Sequence, residues 1–358
     1  MTTLSAGGSS DGDETGITGE SRARPTMREV AALSGASLKT VSRVVNGEGG
    51  VSEELSSRVL KAARMLDYHP NLSASSLRRS DGKTKTIGLL LENVSNPFSS
   101  ALHRAIEDVA RARGVIVFAG SLDEDASREQ ELATAFTARR VDGLIMVPAG
   151  NDQSYLLTER RAGTALVFVD RPPSLLDADA VVATNREGAR EATAHLLERG
   201  HRRIAYVGDY ASIYTAAERL AGYTEALAIE RIPLDPNLVH LGLHTTDDAH
   251  RVLLELLRRT DRPTAIFASQ NLLTIGAVRA LRESALQHDV ALVGFDDLPL
   301  ADLLDPPVTL VTQDVTAMGV RAAELLFRRL DGDTGPSERH VVATTLTRRA
   351  SSEIRPPA

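Results

Sequence analysis

A chain of 358 residues with 42% hydrophobic and 25% charged side chains has room for two or three globular domains. It holds no cysteine, which excludes disulfides and thiolate metal sites, and no run near the ~20 apolar residues of a membrane span. The net charge of -7 is unevenly spread: residues 25–83 carry nine bases against six acids, a net +3, and the remainder carries -10.

Residues 1–24 are rich in Gly, Ser, Thr and acid, with no apolar signal core, and read as a disordered tail. Residues 25–69 read as three short helices. Thr26 and Glu29 have capping-box spacing, and Val30, Ala31, Leu33 and Ala36 supply a small apolar face before the turn Ser34-Gly35-Ala36. Ser37 caps a second helix, Leu38 to Val45, closed by Asn46-Gly47. Ser52 caps a third, in which Leu55, Val59, Ala62, Ala63 and Leu66 recur at helical spacing, and Pro70 ends the unit.

Two helices joined by a small turn form a helix-turn-helix, whose second helix lies in the major groove of DNA. Val41, Val44 and Val45 are expected inside, with Leu38, Lys39, Ser42 and Arg43 outside. The Arg43 fork suits a guanine edge, and Leu38 and Thr40 suit thymine methyls. A plain three-helix domain with a solvated basic face fits the same spacing.

Residues 70–79 are short and serine-rich, too short for an isolated helix, and 80–85 read as a linker. From Thr86 short apolar runs alternate with amphipathic stretches. Ile87-Gly88-Leu89-Leu90-Leu91 is a strand, and Phe98, Ala101, Leu102, Ala105, Ile106 and Val109 form a helical stripe. Further strands are expected at Val115–Ala119, Gly143–Val147, Ala165–Val169, Ile204–Gly208, Ala265–Ala268 and Ala291–Phe295, with a helix over Glu129–Thr137. Such alternation over 86–349 predicts parallel sheets covered on both faces, in two doubly wound lobes. Arg349 to Ala358 reads as a surface tail, with 350–358 outside the domain.

Ligands of such folds bind outside the carboxyl ends of the strands. Phe98, Asp170, Arg171, Gln270 and Asp296 stand there, and an aromatic face with carboxylate, guanidinium and amide suits a polyhydroxylated ligand. Phe98 can equally begin the core stripe, and Asp170 with Arg219 can be a structural ion pair. Asp123-Glu124-Asp125 could suggest a metal cluster, but such acidic loops are more often solvated surface. No phosphate-binding glycine loop and no nucleophile with its base assembles, so neither an enzyme nor a cofactor or metal site is expected.

Several motifs occur in an order that closely resembles the lactose-repressor/galactose-repressor (LacI/GalR) family. They are Met27-Arg28-Glu29-Val30-Ala31, Val41-Ser42-Arg43-Val44-Val45-Asn46 and Asp67-Tyr68-His69-Pro70-Asn71, then Asn96-Pro97-Phe98 and Arg140-Val141-Asp142-Gly143. Gly200-His201-Arg202-Arg203-Ile204, Arg219-Leu220-Ala221-Gly222-Tyr223 and Gly294-Phe295-Asp296-Asp297 follow. The resemblance implies a transcriptional repressor with a helix-turn-helix headpiece and a periplasmic-binding-protein-like, two-lobed α/β sensor domain. It assigns base contacts to Leu38, Lys39, Thr40 and Arg43, and phosphate or structural roles to Thr26, Ser37, Ser42, Asn46 and Tyr68. Thr26 and Ser37 serve equally as helix caps. By the same resemblance 70–79 is a hinge helix that forms on DNA, with Leu77 wedged into the minor groove and Arg78 beside phosphates.

The effector cleft implied by the resemblance comprises Phe98, Asp170, Arg171, Arg219, His244, Gln270, Asp296 and Gln313. Many relatives carry Asn-Asp where this chain has Gln270-Asn271, and several place a stacking aromatic at His244. Ile213 stands where the purine-responsive member has an Arg, which argues against a purine. Lobe crossings are expected near 183–184, 313–314 and 331–332, with helix Met318–Leu330 returning to the first lobe. The implied partners are a pseudo-palindromic duplex operator, a small carbohydrate effector and a second copy of the chain, as dimer or tetramer, in the cytoplasm. A sugar receptor, or a regulator with a degenerate cleft, is the rival reading.

Overall fold

The structure, a computed structural model, describes residues 25–69 and 83–357. The tail 1–24 and the hinge residues 70–79, with Leu77 and Arg78, lie outside the described residues. The chain divides into two compact units, ending and beginning at Gly82 and Lys83.

The first unit is built from α1 (Met27–Ser34), α2 (Leu38–Val45) and α3 (Glu53–Met65). Thr26 starts α1 with a complete capping box, and Gly35 ends it at φ 66°, a left-handed turn that glycine adopts without strain. The core is small: Val30, Val41, Val59, Ala62 and Ala63, with Val44, Val45 and Tyr68 packed against it. Leu33, expected inside, is 50% exposed. Helix α1 has one narrow inner face, centred on Val30 and Ser34, and Leu33 lies off it. Ser52 stands at the start of α3 but its hydroxyl makes no capping bond; Glu53 and Glu54 favour that helix start instead.

The second unit consists of two lobes. In the first, β1 (Thr86–Leu91), β2 (Ile116–Ser121), β3 (Gly143–Met146), β4 (Ala165–Asp170), β5 (Asp179–Ala183) and β11 (Arg339–Val342) form one parallel sheet, ordered β2-β1-β3-β4-β5-β11. Helices α4 (Pro97–Ala112), α5 (Ala126–Ala138), α6 (Leu157–Arg161) and α11 (Val315–Leu330) belong to this lobe. In the second, the order is β7-β6-β8-β9-β10-β12, from β6 (Ile204–Val207), β7 (Val239–His240), β8 (Ala265–Ala268), β9 (Ala291–Phe295), β10 (Thr309–Gln313) and β12 (Thr344–Thr347). Only β12 runs antiparallel there. Its helices are α7 (Asn185–Glu198), α8 (Tyr214–Ile229), α9 (Thr246–Leu257) and α10 (Asn271–Glu283). Central strands are buried on both faces, which explains their continuous apolar runs. Each sheet has a core on either side.

The two sheets share one winding. The order reverses between β1 and β3 in the first lobe, and between β6 and β8 in the second. Such a reversal opens a crevice at the carboxyl ends of the strands.

The chain leaves the first sheet after β5 and returns after β10. The third crossing is at Ala343, not near Asp331-Gly332. The end of α11 is held in the first lobe by Arg329, whose guanidinium binds the Asp179 carboxylate at 2.7 and 2.8 Å, and β11 then pairs with β5. The expected surface tail is also corrected. Ser351 and Ser352 are buried, and Ser351 Oγ donates to the Leu292 carbonyl at 2.6 Å while accepting from Thr309 N at 2.9 Å. Ser352 Oγ lies 2.9 Å from His195 Nε2, and the Ile354 carbonyl 2.8 Å from His201 Nε2. These polar residues are inside because strand and helix partners satisfy them.

Candidate functional site

In the helical unit, α2 presents its outer face as spacing predicts. Ser37 Oγ accepts from Thr40 N at 3.1 Å and lies 2.9 Å from Thr40 Oγ1, so both hydroxyls help start the helix. Leu38 and Lys39 are exposed, while Thr40 and Ser42 are half-buried. Asn46 Nδ2 donates to Ser42 Oγ at 3.3 Å. Arg43 is drawn back: its guanidinium donates to the Gly49 carbonyl and sits 4.0 Å from the Glu48 carboxylate. Thr26 is engaged in its capping box, and Tyr68 leans on the core.

In the two-lobed unit, all eight sequence-selected residues line one solvent-open cleft. Equivalent strand ends of the two lobes supply its acids. Asp170 ends β4, and Asp296 follows β9, both with positive φ, 69° and 67°. A left-handed backbone at a non-glycine residue is tolerated best by Asp and Asn and marks positions held by their surroundings. Glu92 follows β1, and Asp209 follows β6, the strands at each reversal of sheet order. Neither was selected from sequence, although both stand just beyond a strand end.

Arg219 reaches from α8 to Asp296 at 3.1 and 3.2 Å, to Asn185 Oδ1 at 2.7 Å and to the Ser269 carbonyl at 2.7 Å. Its guanidinium lies 3.9 Å above the Phe295 ring. The proposed Asp170–Arg219 pair is therefore replaced by Asp296–Arg219. Arg171 binds Glu124 at 2.6 and 2.7 Å and the Pro148 carbonyl at 3.0 Å. Glu124 thus lines the cleft with a side chain only 8% exposed and is not solvated surface; its neighbours Asp123 and Asp125 are exposed. Gln313 Nε2 donates to Asp296 at 2.6 Å, leaving its buried Oε1 without a partner. Phe98 both lines the cleft and packs on the first-lobe core.

Side chains bridge the cleft. Asn271 Nδ2 donates across it to Asn96 Oδ1 at 2.8 Å, and His244 Nε2 lies 3.7 Å from Glu92. His244 Nδ1 is 3.0 Å from Asp209, and its ring stacks on Tyr210 at 5.4 Å. The bond to Asp209 raises the His244 pKa. Burial raises Asp170 to about 6. Burial, then the nearby Glu124 charge, raises Glu92 to about 7 from 4.5.

The Glu92 shift has a testable sign. The folded chain holds this proton between pH 4.5 and about 7 while the unfolded chain has released it, so Glu92 makes stability fall as pH rises through that window. The side chain is only 14% exposed, and its ionisation above pH 7 costs on the order of 3 kcal/mol. Glu92→Gln should therefore raise the melting temperature at pH 8 and leave it nearly unchanged at pH 5. An equal effect at both pH values contradicts the assignment.

Two family descriptions match: bacterial regulatory proteins of the lacI family over residues 26–71, and a periplasmic binding protein-like domain over 193–352. The HTH-type transcriptional regulator CelR of Thermobifida fusca is 34% identical over 342 residues, covering 93% of this chain and 99% of the relative. GalR of Escherichia coli is 30% identical over 328 residues, covering 91% and 95%. Among solved structures, a CelR–cellobiose complex is 32% identical with a TM-score of 0.67, covering 92% of this chain and 100% of that one. The lac repressor dimer bound to operator and the anti-inducer ONPF is 25% identical with a TM-score of 0.79, covering 92% and 99%. Among the described residues no helix is long and apolar enough to cross a membrane. The ordered match of a DNA-reading unit and a two-lobed unit along nearly the whole chain makes this protein a member of the LacI/GalR family of DNA-binding transcriptional regulators.

Proposed function

We propose that this regulator represses transcription by binding a pseudo-palindromic operator as a homodimer in the cytoplasm, and that a sugar held between its lobes sets its affinity for DNA. The observation that carries the sugar reading is one cleft joining Phe98, Asp170, Arg171, Arg219, His244, Gln270, Asp296 and Gln313. Such a set grips several hydroxyls at once, and the CelR relative is known with cellobiose bound. Ile213 lines the same cleft with an apolar side chain, which offers nothing to a purine edge. No cofactor and no catalytic step enter this reading.

In the proposed complex, Leu38, Lys39, Thr40 and Arg43 read base edges, and Thr26, Ser37, Ser42, Asn46 and Tyr68 fix the register on phosphates. Leu77 and Arg78 act at the hinge, Leu77 as the minor-groove wedge. Arg43 must first release Gly49 and Glu48 to reach a base.

A gel-shift titration tests the whole. Duplexes from upstream of the gene and its neighbours should bind at physiological salt, a sugar should change that binding, and scrambled duplexes should not compete. Arg43→Ala should weaken cognate binding by roughly 1–3 kcal/mol and narrow the gap to scrambled DNA. Equal binding of cognate and scrambled duplexes by the parent protein overturns the reading.

A further inference from the structure

The cleft is richer in anions than in cations, and its cations are already engaged. Arg171 is held by Glu124 and by the Pro148 carbonyl, and Arg219 by Asp296, Asn185 and the Ser269 carbonyl. Asp170, Asp209 and Glu92 remain. Asp170 has Arg171 Nε at 3.5 Å, and Asp209 has His244 at 3.0 Å. Glu92 has the same imidazole, at 3.7 Å, and the Asn96 amide at 3.5 Å; among the described residues no guanidinium or ammonium lies within ion-pair distance of it, and Arg171 acts on it only through the longer-range field. Gln313 Oε1 is buried and accepts from nothing, and two other cleft atoms, Arg171 Nε and Ser269 Oγ, are buried without a hydrogen-bond partner. The charge the walls offer a guest is therefore negative on balance, and carboxylates favour a guest that brings donors.

Resting on the sugar reading above, we infer that the effector is a donor-rich polyol with no anionic group, and that Glu92 is the residue that rejects phosphorylated sugars. A hydroxyl donates to a carboxylate. A phosphate is an acceptor bearing negative charge, and it would meet carboxylates whose neutralising guanidiniums are committed elsewhere. Like charges a few ångströms apart in a partly buried site repel strongly enough to cost about tenfold or more in affinity. An ammonium group on the sugar reverses that sign, so amino-substituted sugars belong on the accepted side of the boundary.

The test is calorimetric titration of the full chain at pH 8, with thermal shift as a second readout. The probes are mono- and disaccharides, each beside its phosphorylated and amino-substituted counterpart. The parent protein should bind the best neutral sugar at least about tenfold more tightly than its phosphate, and Glu92→Gln should shrink that ratio to about threefold or less. Using a ratio removes any general loss of affinity in the variant. A phosphate that binds as well as its parent sugar, or a ratio unmoved by Glu92→Gln, overturns the inference and leaves the sugar reading standing. If no member of the set binds, whatever its charge, the sugar reading itself falls and takes this assignment with it.

Discussion

Asp296→Ala is expected to destabilise the two-lobed unit by about 3–5 kcal/mol and to abolish effector binding. Asp296 is the charge partner of Arg219, and the pair is nearly dry, at 10% and 6% side-chain exposure. Removing one member of a buried pair leaves the other ionised without compensation, which is the costly way to break it. Arg219 would keep Asn185, the Ser269 carbonyl and the Phe295 ring, none of them charged, and only the more distant Asp170 carboxylate, itself shared with Arg171, would face it. Gln313 Nε2 would lose its acceptor as well. For a unit of this size the melting temperature should fall by roughly 10 °C, and Asp296→Asn, which keeps the shape and one acceptor, should fall less. A melting temperature of Asp296→Ala within the error of the parent rules out this pair as a support of the fold.

Gly222→Ala is the second large effect. Helix α8 crosses α7 with almost no side chain between them at this point. A methyl group at 222 would sit 2.1 Å from the Arg186 carbonyl oxygen, 2.9 Å from Arg190 N and 3.0 Å from the Ala189 Cβ. Two of those atoms are backbone, so no side chain can swing away, and the helices must separate. Overpacking a core costs about 1–3 kcal/mol where side chains adjust, and the upper end or more applies here. Thermal unfolding should show a loss of several degrees, while Gly49→Ala, with nothing within 4 Å, serves as a silent control. Equal melting temperatures for the two variants would falsify the close-crossing account.

The sequence carried the alternation of strand and helix because parallel strands buried on both faces leave uninterrupted apolar runs, as in Leu89-Leu90-Leu91 and Ala265–Ala268. Strands β5, β7 and β10 are not among those singled out from sequence, and β11 and β12 leave no signal at all. Each has four residues, each lies at a sheet edge, and their half-exposed polar residues give no continuous apolar signal. That is why sequence alone sets the third crossing a dozen residues early and gives buried Ser351 and Ser352 the look of a tail. In the cleft, the rule of looking just past strand ends found Asp170 and Asp296. Applied to β1 and β6 it points equally to Glu92 and Asp209. Glu124 was hidden for a different reason: it sits between two exposed acids, and only the fold turns it towards Arg171. The pairing of Arg219 with Asp296 was beyond reach, since 77 residues separate the partners.

The threading of the two lobes also bears on how the polypeptide is made. Strand β11 completes one sheet and β12 the other, and residues 351 to 354 plug the second. Neither sheet can close until β11 and β12, at residues 339 to 347, have left the ribosome. The three helices before Tyr68 need only one another and can settle while the rest is still being synthesised. A nascent or prematurely stopped chain would therefore display its helical unit before the two-lobed unit had formed.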